Sequence, residues 1–99
     1  MMLGAGSTVK QEQGFALLPN YPNPFNPSTT IRYTVPGPGH VRVRVFNVLG
    51  QLVSTLVDEV QTAGSRRVTF DGRGLASGVY FASVEWGSRR LTHSMMMIK

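Results

Sequence analysis

Val41, Val43 and Val45 alternate strictly with Arg42 and Arg44. Of all features of the chain, this one restricts the fold most. A side-chain period of two belongs to a pleated strand with one face in a core and the other in water or against a partner. A helix would scatter the same valines around its circumference. The pattern recurs. Thr29, Ile31, Tyr33 and Val35 share a face opposite Thr30, Arg32 and Thr34. Val68 pairs in parity with Phe70, and Tyr80 with Ala82, Val84 and Trp86. Residues 52–57 and 90–98 add two further β-rich runs, and no segment carries a helical stripe.

Turn chemistry separates these runs. Pro36-Gly37-Pro38-Gly39 ends the first, and Leu49-Gly50-Gln51 makes a short hairpin connection in which Gly50 is free to take positive φ. Residues 58–65 lack a pattern and read as a loop turning at Gly64; Asp71-Gly72-Arg73-Gly74, Ser77-Gly78 and Gly87-Ser88 are turn clusters. Phe15-Ala16-Leu17-Leu18 is a short apolar run closed by Pro19. About seven strands at roughly ten-residue spacing predict an all-β, immunoglobulin-like antiparallel β-sandwich, with a small barrel as the alternative. Within it, Val43, Val45, Tyr80 and Val84 are predicted core residues.

With 99 residues the chain holds one modest core. Residues 1–13 are small and polar, and read as a linker or a vector-derived tail; residues 14–99 read as the domain. The start lacks a basic region followed by an apolar stretch, so it does not read as a signal peptide. No apolar run approaches the ~20 residues that span a bilayer. Absence of cysteine excludes a disulfide scaffold. The net charge of +5, almost all of it from arginine, favours anionic partners.

Chemistry is sparse. His40 and His93 have no partner at a metal-ligand spacing, so neither a metal nor another cofactor is expected. Gly74-Leu75-Ala76-Ser77-Gly78 places its serine one position late for a nucleophile elbow, and a strand follows it. Only Asp58 and Glu59 are adjacent acids. Phe46 alone shares the Arg42 and Arg44 face by parity, which is too little aromatic interleaving for a nucleic-acid platform. A sugar-binding module would use exposed rings; Tyr21, Tyr33, Tyr80 and Trp86 are available, but the last three lie at core parity.

Tyr21-Pro22-Asn23-Pro24-Phe25-Asn26-Pro27 is proline-dense, and prolines force the residues before them towards extended geometry and withhold ladder donors. With Ser28-Thr29-Thr30-Ile31 it closely resembles the opening of the type A C-terminal sorting domain of the type IX (Por) secretion system. Val45-Phe46-Asn47-Val48-Leu49-Gly50-Gln51 resembles that family's central hairpin. Leu75-Ala76-Ser77-Gly78-Val79-Tyr80-Phe81 resembles its Gly-x-Tyr strand start. Ser94-Met95-Met96-Met97-Ile98-Lys99 is similar to its terminal apolar strand capped by a basic residue, with methionines in place of the usual branched aliphatics. Flagellar hook-capping modules share part of the pattern.

The resemblance implies a non-enzymatic address label at the C-terminus of a cargo protein. It implies transit through the periplasm, recognition by an outer-membrane translocon and shuttle, and removal by a sortase-like protease. Cargo is then secreted or joined at the surface to anionic lipopolysaccharide. The motif residues, from Tyr21 to Pro27 with Gly50, Gln51, Gly78, Tyr80 and Lys99, are the candidate sorting residues. Residues 94–99 are the candidate recognition strand; if that strand lies at a sheet edge, its unpaired backbone groups are open to a partner strand. Gln51, Lys99 and the arginines are the candidates for direct contact. An Ig-like adhesion or carbohydrate-binding module is the alternative.

Overall fold

The computed structural model describes residues 10–12 and 14–99. Eight antiparallel strands fill them: β1 (Lys10–Glu12), β2 (Phe15–Leu17), β3 (Ser28–Val35), β4 (Gly39–Asn47), β5 (Leu52–Gln61), β6 (Gly64–Asp71), β7 (Gly78–Trp86) and β8 (Arg89–Met97). They form two sheets, ordered β1-β2-β3-β6 and β5-β4-β7-β8. Strands that follow one another in sequence switch sheets at β3–β4, β5–β6 and β6–β7, the Greek-key wiring of an immunoglobulin-like sandwich.

The alternating residues meet between the sheets. Thr29, Ile31, Tyr33 and Val35 are buried from the first sheet; Val41, Val43, Val45, Tyr80, Ala82 and Val84 are buried from the second. Phe15, Leu17, Phe25 and Phe70 fill the remaining space. Full burial of one such large side chain stabilises the fold by ~1.5–3 kcal/mol. Met95 and Met97 complete the core at 2% and 1% exposure, so thioether chains do the packing that branched residues would do elsewhere.

Three stretches differ from the sequence reading. Residues 58–61 belong to β5 and residues 64–66 to β6, leaving a tight connection where a loop was expected. β5 continues because β4 pairs with it along its whole length, from Phe46 opposite Leu52 to Gly39 opposite Gln61, past two register shifts. Ladder bonds from a neighbour override weak local propensity. Lys10–Glu12 lies in the stretch read as a linker, yet it pairs with β2 as an edge strand. The same linker reading for residues 1–9 and 13 lies outside the described residues.

One polar link crosses the core. The Tyr33 hydroxyl donates to Gln61 Oε1 at 2.8 Å, and Gln61 Nε2 donates to Glu59 Oε2 at 3.1 Å, joining the first sheet to β5. Burial pushes the Tyr33 phenol above its ordinary value of 10.0, against smaller opposing effects of the Gln61 hydrogen bond and the nearby Arg66 charge. A raised folded-state value means that folding holds the phenolic proton more tightly than the unfolded chain does. Its contribution is therefore complete below the unfolded value and is lost as pH rises through the folded one. Urea unfolding followed by tryptophan fluorescence is expected to show stability falling above pH 10, with Tyr33→Phe giving a flatter alkaline profile. Val43→Ala is expected to cost ~1–3 kcal/mol in the same assay at neutral pH, because the vacated methyl space lies where neighbours from both sheets are fixed.

Candidate recognition surface

The sequence motifs lie far apart in the chain, and the fold collects them at one end of the sandwich. Register explains how. Asn47 at the end of β4 opposes Tyr80, which opposes Met95; Gly78 opposes Met97. The β4–β5 hairpin, the start of β7 and the end of β8 are therefore neighbours by backbone pairing.

The proline segment joins them. Tyr21 exchanges backbone bonds with Thr30 of β3 at 3.0 and 2.9 Å. Four residues on, Phe25 pairs with β8: its N–H donates to the Met96 carbonyl and its carbonyl accepts from Ile98 N–H, both at 2.9 Å. Asn23 Oδ1 accepts the Met96 N–H at 3.0 Å. The segment thus ties one sheet to the other. Asn20 and Thr29 brace its bend: Asn20 Nδ2 donates to Thr29 Oγ1 at 3.0 Å, and the Thr29 hydroxyl donates to the Pro22 carbonyl at 2.8 Å. The bonds before Pro22, Pro24 and Pro27 are cis. The ring of Phe25 is buried edge-on against Phe70, with centroids 5.9 Å apart.

This arrangement corrects the expectation of an open terminal strand. β8 is an edge strand, but the backbone groups of Met96 and Ile98 that face outward are already bonded. The reason is Asn23: its side chain supplies the acceptor where proline leaves no strand to do so.

The hairpin tip is organised by Asn47. Its Oδ1 accepts from Leu49 N–H at 2.9 Å and Gln51 N–H at 3.0 Å, and its Nδ2 donates to Gln51 Oε1 at 2.8 Å. Gly50 takes φ of 79°, which L side chains rarely adopt. Gln51, expected to be a contact residue, spends its side-chain oxygen on Asn47. Val48 and Leu49 are the outward-facing members of the tip, at 65% and 78% exposure.

Tyr80 acts as a corner brace: its hydroxyl donates to the Ala76 carbonyl at 2.5 Å, back across the β6–β7 connection. A tyrosine in this place is a recurrent feature of immunoglobulin-like sandwiches. Its role was hidden in the sequence because the hydroxyl's partner is a backbone carbonyl. Gly72 lies under Met97, where an added Cβ would collide with the Met97 sulfur. Lys99 is exposed.

On the outer face of the second sheet the strands set three cross-strand rows. Nearest the hairpin, Leu52, Phe46, Phe81 and Ser94 stand side by side; next come Thr55, Arg44, Ser83 and Thr92; then Asp58, Arg42, Glu85 and Arg90. Glu85 receives Arg44 at 3.0 Å, Arg42 at 3.5 Å and Arg90 at 4.0 Å. The Arg44 guanidinium also covers the Phe46 ring at 5.3 Å. Glu85 faces three guanidiniums, and Asp58, the other carboxylate of these rows, pairs with His40, which leaves the middle of this face positive. Beside it lies an apolar margin: Leu52, Val48, Leu49, Met96 and Ile98 are all exposed. Exposed apolar side chains grouped this way, bordered by charge, are typical of protein-contact surfaces.

Of the four rings considered for sugar binding, Tyr33 and Tyr80 are buried. Trp86 is partly buried and donates to the Gly37 carbonyl at 3.0 Å. Tyr21 is 74% exposed. His40 pairs with Asp58 at 2.5 Å, on the outer face and away from the motif residues.

No curated protein and no solved structure matches the chain. The family model described as the secretion system C-terminal sorting domain matches residues 20–99, from the start of the proline segment through β8. That span holds the proline segment, the hairpin, the tyrosine brace and the terminal strand together, and the chain belongs to the family of type IX secretion C-terminal sorting domains.

Proposed function

We propose that this domain is a non-enzymatic address label read by the type IX secretion machinery. It directs an N-terminal cargo from the periplasm across the outer membrane, to the cell surface or the medium. The family match carries this reading. The geometry supports a division of labour among the motif residues. Phe25, Tyr80, Met95 and Met97 hold the fold; Val48, Leu49, Met96, Ile98 and Lys99 face outward at the same end and form the contact surface. The translocon and its shuttle are the partners for that surface. A sortase-like protease removes the label, and the released cargo is free to be joined to anionic lipopolysaccharide.

Removing β8 tests the reading poorly, because Met95 and Met97 belong to the core and their loss unfolds the domain. Exposed positions separate folding from recognition. The 99-residue chain fused behind a periplasm-directed reporter, in a host with this secretion system, is expected to deliver the reporter to the surface or medium. Leu49→Asp combined with Met96→Asp is expected to abolish delivery while changing stability by only about 0.5 kcal/mol per site, since both side chains already face water. Met95→Asp is expected to fail in both. A folded wild-type fusion left in the periplasm overturns the proposal; full delivery of the double variant overturns the assigned surface.

A further inference from the structure

The outer face of the first sheet carries a charge arrangement that lies outside the contact surface assigned above to sorting. Arg32 on β3 and Arg67 on β6 stand directly opposite each other in an antiparallel pair. Like charges in this position repel. Among the described side chains no carboxylate pairs with either of them. Arg32 makes one contact, from Nη2 to the Pro19 carbonyl at 3.3 Å, and Arg67 has no acceptor among the described residues. Of the carboxylates whose side chains are described, Asp58, Glu59 and Glu85 lie on the second sheet, and Asp71, at the far end of β6, is held by Arg73 at 2.7 Å. This differs from the other face, where Glu85 already gathers three arginines.

The surroundings specify what an anion here would be attached to. Thr30 opposes Thr69 on one side of the arginine pair, and Thr34 opposes Ser65 on the other. Tyr21 pairs with Thr30 across β3, so its exposed ring lies on the same outer face. Two shallow grooves flank the arginines: one is lined by Tyr21, Thr30, Arg32 and Arg67, and the other includes Leu18, Thr34 and Ser65 beside the same two arginines. Paired guanidiniums bind a carboxylate or phosphate, hydroxyl rows suit the hydroxyls of a sugar, and an exposed phenol ring offers a stacking face.

We propose that this face binds an anionic sugar chain, one acidic group bridging Arg32 and Arg67 while a neighbouring ring stacks on Tyr21. The site is on the opposite sheet from the contact surface assigned to sorting, and stands whether or not that assignment does.

The test uses the full chain at low ionic strength, with trigalacturonate, its neutral methyl ester and a hexaglutamate peptide as probes. Trigalacturonate is expected to shift the Nε–H resonances of Arg32 and Arg67 and the ring resonances of Tyr21. Methyl esterification, or Arg67→Gln, is expected to weaken binding about ten-fold, the scale of one lost charge-assisted pair. Tyr21→Ala is expected to weaken trigalacturonate about five-fold and leave hexaglutamate unchanged. Both substituted side chains are exposed, and unchanged amide spectra elsewhere confirm the fold. Hexaglutamate binding as tightly as trigalacturonate, with no dependence on Tyr21, overturns the proposal in favour of an acidic peptide. Unmoved Arg32 and Arg67 resonances, or shifts centred on Arg42 and Arg90, overturn it outright.

Discussion

Two backbone hydrogen bonds from Phe25 to β8 hold the arrangement together. Through them the proline segment, which begins as a partner of β3, ends as a partner of the opposite sheet. The Phe25 ring enters the core at the same point, against Phe70. A segment that cannot form a ladder is thereby fixed at both ends, by a bridge to Thr30 and a bridge to Met97. Prolines blunt a sheet edge by withholding donors. Here the segment does more, since Asn23 and Phe25 occupy the outward backbone groups at the end of β8. The terminal strand is consequently presented by its side chains, with Met96 outward and Met95 and Met97 inward, and its backbone at that end is closed.

The alternating strands were legible because each has one buried face, and a single-residue slip would expose every valine. Val41, Val43 and Val45 left no choice of face. The extension of β5 was not legible. Asp58, Glu59 and Gln61 look like loop residues, and what makes them a strand is the length of β4 and the company of His40, Arg42 and Tyr33. These are tertiary partners, which no local pattern contains. The same applies to Tyr80 and Asn47. Their positions were found through the motif, but their work, bracing a corner and shaping a hairpin tip, depends on backbone carbonyls and amides that acquire their places only on folding. β1 was missed because residues 10–12 have neither alternation nor β-branched content.

The basic charge divides into two unlike populations. On the second sheet, Arg42, Arg44 and Arg90 converge on Glu85, whose side chain is only 22% exposed, so those guanidiniums are held in place by a partly buried carboxylate. On the first sheet, Arg32 and Arg67 face each other with no carboxylate between them. Net charge alone treats the two as equivalent. Partnering does not: a guanidinium already bonded to a carboxylate has less to gain from a new anion than one opposed only by its own kind.

The terminal strand unites two requirements that truncation cannot separate. Alternate residues of β8 face the core and the solvent, so any cut that removes the outward Met96 also removes Met97, which packs under the sandwich and against Gly72. Loss of the strand would therefore abolish the folded surface whether or not any partner touches the strand itself. Parity provides the separation that length does not: a change at Met96 alters what is displayed, and a change at Met95 or Met97 alters whether anything folded is displayed at all. The same reasoning applies to the proline motif, in which Tyr21 is displayed and Phe25 is buried four residues later. A contiguous sequence motif is in this fold two interleaved sets of residues, one that builds the surface and one that is the surface.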